Sequence, residues 1–179
     1  MVLVIIIILI IIMIMIAYIS ISNSLNRAIV KIDEASSGID VALTKRYDVL
    51  TKMIDVVKGY TKHEQETLFK VVEIRKNMTI EEKNKVNSQM EENLSKINVL
   101  AENYPELKAS ENYKTLQQSI MDVEEHLQAA RRLYNANVSS YNQRIVTFPS
   151  SMIANSKGLT KKEFFHTSDE KREDVKIDL

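Results

Sequence analysis

Residues 113–148 read YKTLQQSIMDVEEHLQAARRLYNANVSSYNQRIVTF, and this stretch decides the fold. Tyr113, Leu116, Ile120, Val123, Leu127, Ala130, Tyr134, Val138, Tyr141, Ile145 and Phe148 recur at alternating steps of three and four. That spacing lines one face of an α-helix. The positions between them are mostly charged or amide-bearing, and no glycine or proline interrupts the run. Such a stripe buries itself against neighbouring helices and leaves the opposite face to water.

The same period recurs upstream. One series runs Leu25, Ile29, Ile32, Ile39, Leu43, Tyr47, Leu50, Ile54, Val57, Leu68, Val71, and a second runs Val86, Met90, Leu94, Ile97, Leu100, Tyr104. Thr79 followed by Glu82 has the spacing of a capping box for the second helix. Pro105 ends that helix, Ser110 caps the third, and Pro149 stops it. Ser36-Ser37-Gly38 interrupts the first series, giving three helices, or four if the chain bends there and splits the first in two. The predicted fold is therefore all-α, an antiparallel bundle of three to four long helices. Glycine (3) and proline (2) are scarce, which removes most of the turn chemistry of a β-rich fold. From Lys157 onward the charges are mixed and no stripe is sustained, so residues 157–179 read as a mostly disordered tail. Phe164 and Phe165 are its strong apolar anchors, placed to dock on the bundle or the bilayer surface.

Ahead of the bundle, residues 2–17 read VLVIIIILIIIMIMIA, followed by YISIS, and no charged side chain appears before Arg27. At about 1.5 Å per residue, roughly 20 residues cover a hydrocarbon core of about 30 Å. Residues 1–22 are thus expected to form a transmembrane anchor, residues 23–156 the bundle. A cleaved signal would need a basic leading segment and a small-x-small cleavage site, and the sequence has neither convincingly. Arg27, Lys31, Lys45 and Arg46 all follow the span, so the positive-inside rule puts the amino terminus outside and the bundle in the cytoplasm.

The balance of 24 basic and 24 acidic residues gives no general attraction to nucleic acid. Without cysteine there are no disulfides, thiolate metal sites or cysteine nucleophiles. The first series loses its apolar character at TKHEQET, residues 61–67, where spacing turns Thr61 and Glu64 inward. A buried glutamate needs a partner. If the helices run 40–75, 79–103 and 110–148, Glu64 lies about 36 Å along its helix and Arg131 about 32 Å along its own. A Glu64–Arg131 ion pair near Tyr134 is the expectation, and setting helix register is its simplest role. His63, His126 and His166 fall in no metal motif, and no Ser-His-Asp arrangement or phosphate-binding loop can be argued. No catalytic residue, metal site or cofactor is called for, and the chain reads as a non-enzyme.

Five stretches resemble the LemA family of membrane-anchored bacterial proteins: DEASSGIDVALTKRYDVL (33–50), VVKGYTKHE (56–64), AENYPELKASENYKTLQ (101–117), ARRLYNANVSSYNQRIVTFPSSMIA (130–154) and the Phe pair at 164–165. The sequence departs from the family's usual pattern at Ser36, Thr51 and Ser151. The resemblance implies an N-terminal anchor and an antiparallel helical bundle, and it carries over no catalytic residue. One branch is associated with magnetosome membranes, which implies organising or remodelling roles. The motif residues it marks are Arg46, Tyr47, Asp48, Lys58, Tyr60, His63, Glu64, Arg131, Tyr134, Asn135, Tyr141 and Asn142. On helices, most of these hold the bundle together.

The expected function is that of a scaffold at the bilayer, binding an unidentified protein or itself. Two alternatives accompany it: a metal- or ligand-binding bundle, with enzymatic action open to it, built on the polar layer of Glu64 and Arg131, and a self-assembling membrane-shaping protein.

Overall fold

The computed structural model describes residues 1–60 and 69–166. Its elements are α1 (Val2–Tyr60), α2 (Ile80–Asn103), α3 (Pro105–Ala109), α4 (Glu111–Val146) and α5 (Ser150–Ser156). The fold is all-α, as the periodicity requires. The start of α2 carries the expected capping box: the Glu82 N–H donates to Thr79 Oγ1 (3.2 Å) and the Thr79 N–H to Glu82 Oε2 (2.7 Å). Pro105 stands at the first turn of α3, where its missing N–H costs nothing. Ser110 caps α4 by accepting from the Tyr113 N–H.

One sequence alternative falls away and one expectation is corrected. The four-helix alternative is not realised at Ser36-Ser37-Gly38, where α1 is one continuous helix. A methyl group added at Gly38 would lie 3.9 Å from Ala130 Cβ, so the small residues serve a close approach of α1 to α4. The first helix also stops earlier than its apolar series. It is described as far as Tyr60, residues 69–79 are not helical, and Val71 is exposed.

The chain forms two compact units. The first comprises Met1–Ser36 with Leu133–Phe164, the second Ser37–Arg132 with Phe165 and His166. In the first, Leu25, Ala28, Ile32 and Ala35 on α1 are buried, as are Tyr134, Val138, Tyr141 and Ile145 on α4 and Ile153 and Ala154 on α5. Steps of three and four make each set one helix face. The apolar run from Val2 to Ile19 is exposed along its length, and α1 is the one helix among the described residues long and apolar enough to cross a membrane.

The first unit is closed by residues 157–164, which the sequence assigns to the charged tail. Gly158 (φ +64°) ends α5 in a left-handed turn, with the Leu159 N–H donating to the Ala154 carbonyl (2.9 Å) and the Gly158 N–H to that of Asn155 (3.1 Å). The chain then returns along α4. Tyr141 and Tyr134 hydroxyls donate to the carbonyls of Thr160 (3.1 Å) and Glu163 (3.0 Å), and the Asn142 amide pairs with both backbone groups of Lys162 (2.8 and 2.9 Å).

The second unit has an apolar core of Leu50, Met53 and Val57 from α1, Val86, Met90, Ile97 and Leu100 from α2, and Leu107 and Tyr113 beyond. Asn93, fully buried on α2, treats Lys70 as a strand partner would, accepting from its N–H and donating to its carbonyl at 2.9 Å each. That pairing fixes the stretch leading into α2. Phe165 is buried in this unit, whereas Phe164 is partly exposed. The His166 N–H donates to Asn84 Oδ1 at 2.9 Å.

Candidate functional site

The buried stripe of α1 in the second unit reads Ile39, Leu43, Arg46, Leu50, Met53, Val57. One member is a cation. Arg46 is 3 % exposed, and a charge in that position is tolerated only if its neighbours answer it. They come from two other helices. Nη2 meets Glu124 Oε2 on α4 at 2.9 Å, Nη1 lies 3.8 Å from Glu91 Oε1 on α2, and Nη1 also donates to Asn87 Oδ1. The Asn87 amide in turn donates to Glu91 one turn along, at 3.4 Å. A single guanidinium therefore joins α1, α2 and α4, the kind of forked contact arginine makes better than lysine. Its Nε is buried with no hydrogen-bond partner among the described residues. Burial pushes the Arg46 pKa below its ordinary value, and the attraction of Glu124 and Glu91 only partly opposes this.

Beside this centre lies an open groove of about 600 Å³ between α2 and α4. Arg46 forms part of its wall, with Glu91, Glu124 and Glu125 as its acids and Leu94, Ile120 and Met121 as its apolar lining. Met121 is 64 % exposed. A groove of one cation, three carboxylates and apolar side chains has the chemistry of a surface for a basic, partly apolar segment. A second cross-link stands nearby on α2, where the buried Lys83 meets Asp40 of α1 at 2.8 Å.

The residues marked by the sequence separate into distinct settings. Arg46 is the polar centre, and Tyr47 packs half-buried against the apolar core. Asp48, Lys58 and Tyr60 face solvent. His63 and Glu64 lie outside the described residues, and the expected Glu64–Arg131 pair with them. Arg131 and Asn135 are half-buried on α4. Tyr134, Tyr141 and Asn142 hold the returning segment of the first unit. The Tyr134 phenol is pushed up by burial first, then by Glu163 and Asp33, and that of Tyr141 by burial.

Sequence reading missed Asn87, Glu91 and Glu124 around the arginine, and Lys83 and Asn93. The usable signal was register. Arg46 falls four before Leu50 and seven after Ile39, and Lys83, Asn87 and Asn93 fall on the α2 stripe with Val86, Met90 and Ile97. Among the described residues no group of three or more histidines, aspartates and glutamates is disposed to hold a metal ion.

Comparison with known proteins bears on this arrangement. The LemA family model matches residues 35–179. Protein LemA of Metamycoplasma hominis is 34 % identical, over 88 % of this chain and 74 % of its own length. Magnetosome protein MamQ of Magnetospirillum gryphiswaldense is 29 % identical over 41 % of this chain and 27 % of its own. Magnetosome protein MamQ 2 of Paramagnetospirillum magneticum is also 29 % identical, over 40 % of this chain and 26 % of that protein.

Proposed function

The chain belongs to the LemA family, and from that premise we propose that it is a single-pass membrane protein whose helical bundle is a non-enzymatic scaffold, holding a partner protein at the bilayer. The observation that carries this reading is α1. One uninterrupted helix begins as an exposed apolar run and continues as a core helix of the bundle. Residues 1–22 are its anchor and 23–156 its helical domain. The cations that follow the apolar run support a bundle in the cytoplasm and an amino terminus outside.

The polar centre supports a structural role more than a chemical one. The guanidinium of Arg46 is occupied by three side chains that join three helices. The groove beside it has the size and mixed lining of a docking surface. Two measurements test the proposal. Alkaline carbonate should leave the full chain in the membrane fraction, and release would remove the anchor. Photo-crosslinkers placed at Met121 and Glu125 in cells should trap a discrete partner or a second copy, while one at the exposed Lys52 on α1 should not. Crosslinks of equal, diffuse yield from all three would overturn the scaffold reading. Iron, manganese or zinc bound stoichiometrically to purified protein would instead favour the metal-binding alternative.

A further inference from the structure

The chain is neutral overall, yet its first unit is not. Met1–Ser36 and Leu133–Phe164 contain Arg27, Lys31, Arg144, Lys157, Lys161 and Lys162 against Asp33, Glu34 and Glu163, a net charge of +3. The fold brings Arg27, Lys31 and Arg144 to one cleft, and Arg144 and Lys157 to the start of the α1 segment that follows the apolar run. Arg144 Nη1 donates to Ser24 Oγ at 2.7 Å, and Lys157 Nζ to Ser22 Oγ. Both serines directly follow the apolar run of α1. The end of α4, the turn after it and the end of α5 are thus held at the level where the chain leaves the apolar stretch.

Two features of that level point to lipid. The first is a cleft of about 250 Å³ between α1 and α4, lined by Ser24, Arg27, Lys31, Asn137, Ser140 and Arg144. It offers three cations and no carboxylate. Ser24 and Arg27 stand about 3 and 8 Å along the helix from Ser22, within the roughly 5–8 Å depth of one headgroup layer. The second is an apolar corner. Val146, Phe148 and Met152 are 59, 76 and 64 % exposed. Since α4 reaches Ser24 at Arg144, Phe148 lies beyond it on the side of the apolar run. Exposed apolar residues beside cations are the composition of an interfacial membrane contact.

We infer that the α4–α5 corner is a second membrane contact, seating Phe148 and its neighbours at the interface while Arg27, Arg144 and Lys157 hold the phosphates of anionic lipids. The inference rests on the anchor reading, because continuity with α1 brings the corner to the bilayer. Each cation near an anionic surface is worth about fivefold in binding. Loss of three is therefore worth about a hundredfold, enough to free a tethered corner.

The chain contains no tryptophan, so single reporters are unambiguous. The full chain carrying I10W or F148W is reconstituted in vesicles of phosphatidylcholine, with and without phosphatidylglycerol, using brominated acyl chains as quenchers. The I10W reporter should be quenched in both. The F148W reporter should be blue-shifted and quenched more strongly with phosphatidylglycerol, and R27Q/R144Q/K157Q should erase that difference. R27Q/K31Q, which disturbs neither serine bond, should reduce it, so a loss cannot be ascribed to a disrupted corner. A quenched I10W with F148W emission as in water in both lipids overturns the second contact and leaves the anchor standing. An unquenched I10W overturns the anchor, and the inference with it.

Discussion

Glu124→Gln is the sharpest perturbation of the polar centre. It leaves a guanidinium 3 % exposed, with Glu91 at 3.8 Å as the carboxylate still paired to it. Two unit charges about 4 Å apart attract by roughly 4 kcal/mol at an effective dielectric near 20. Glu124 is 35 % exposed, and solvent screening reduces its share by about half. The expected loss is therefore about 2 kcal/mol, or a fall in Tm of about 4–8 °C for a chain of this size. The double variant Arg46→Met/Glu124→Gln should recover most of that loss. It removes the cation whose burial outweighs its attractions, and it leaves Asn87 and Glu91 hydrogen-bonded to each other. Replacing a buried ion pair by apolar groups is often neutral or stabilising, whereas breaking it from one side is not. Urea unfolding of the full chain in detergent, followed by circular dichroism, measures both. A single variant within about 0.5 kcal/mol of the parent, or a double variant no more stable than the single, refutes the reasoning.

Gly38→Ala should stabilise by about 0.5–1 kcal/mol, because the helix gains propensity and the new methyl meets Ala130 at an ordinary 3.9 Å; Gly38→Leu should destabilise in the same melt. Asn93→Ala removes two hydrogen bonds to Lys70 and should cost about 1–2 kcal/mol, with faster hydrogen exchange at the Lys70 amide as its local signature. The raised pKa values of Tyr134 and Tyr141 mean that the folded state favours their neutral phenols. The stability this contributes is complete below the ordinary value of 10.0 and lost as pH rises through the folded values. Thermal melts should therefore fall steeply above about pH 10, and less steeply in Tyr134→Phe/Tyr141→Phe.

Local chemistry was read correctly wherever it governs alone. The capping box at Thr79 and Glu82, the stop at Pro105 and the cap at Ser110 involve neighbours three or four residues apart, and the structure has all three. The misreadings share a different cause. Ser36-Ser37-Gly38 has the composition of a helix bend, but the same small residues also allow α4 to come close, and packing prevailed over propensity. The apolar series carried the first helix through Val71, where the chain is not helical, because Leu68 and Val71 keep the period. Period alone does not say whether a face has anything to pack against. Residues 157–164 have too polar a composition to suggest order. They are held by hydrogen bonds from Tyr134, Tyr141 and Asn142 to backbone groups, which side-chain composition does not reveal.

An inward charge is easiest to suspect where the apolar pattern breaks and hardest to see within an intact pattern. Arg46 stands in register with Ile39, Leu43 and Leu50, and an unbroken stripe hides it from a test that looks for interruptions. Its partners Glu91 and Glu124 lie about 45 and 78 residues away on other helices, a separation no local spacing rule spans. The Arg46 centre is therefore a long-range lock. Its ionic partners are set by how three helices align, so a shift of α2 or α4 by one turn, about 5.4 Å, would strand a buried charge. Such a device penalises wrong registers more than it stabilises the right one. The proposed scaffold role would depend on it, since the groove along α2 and α4 keeps its lining only while those two helices keep their alignment.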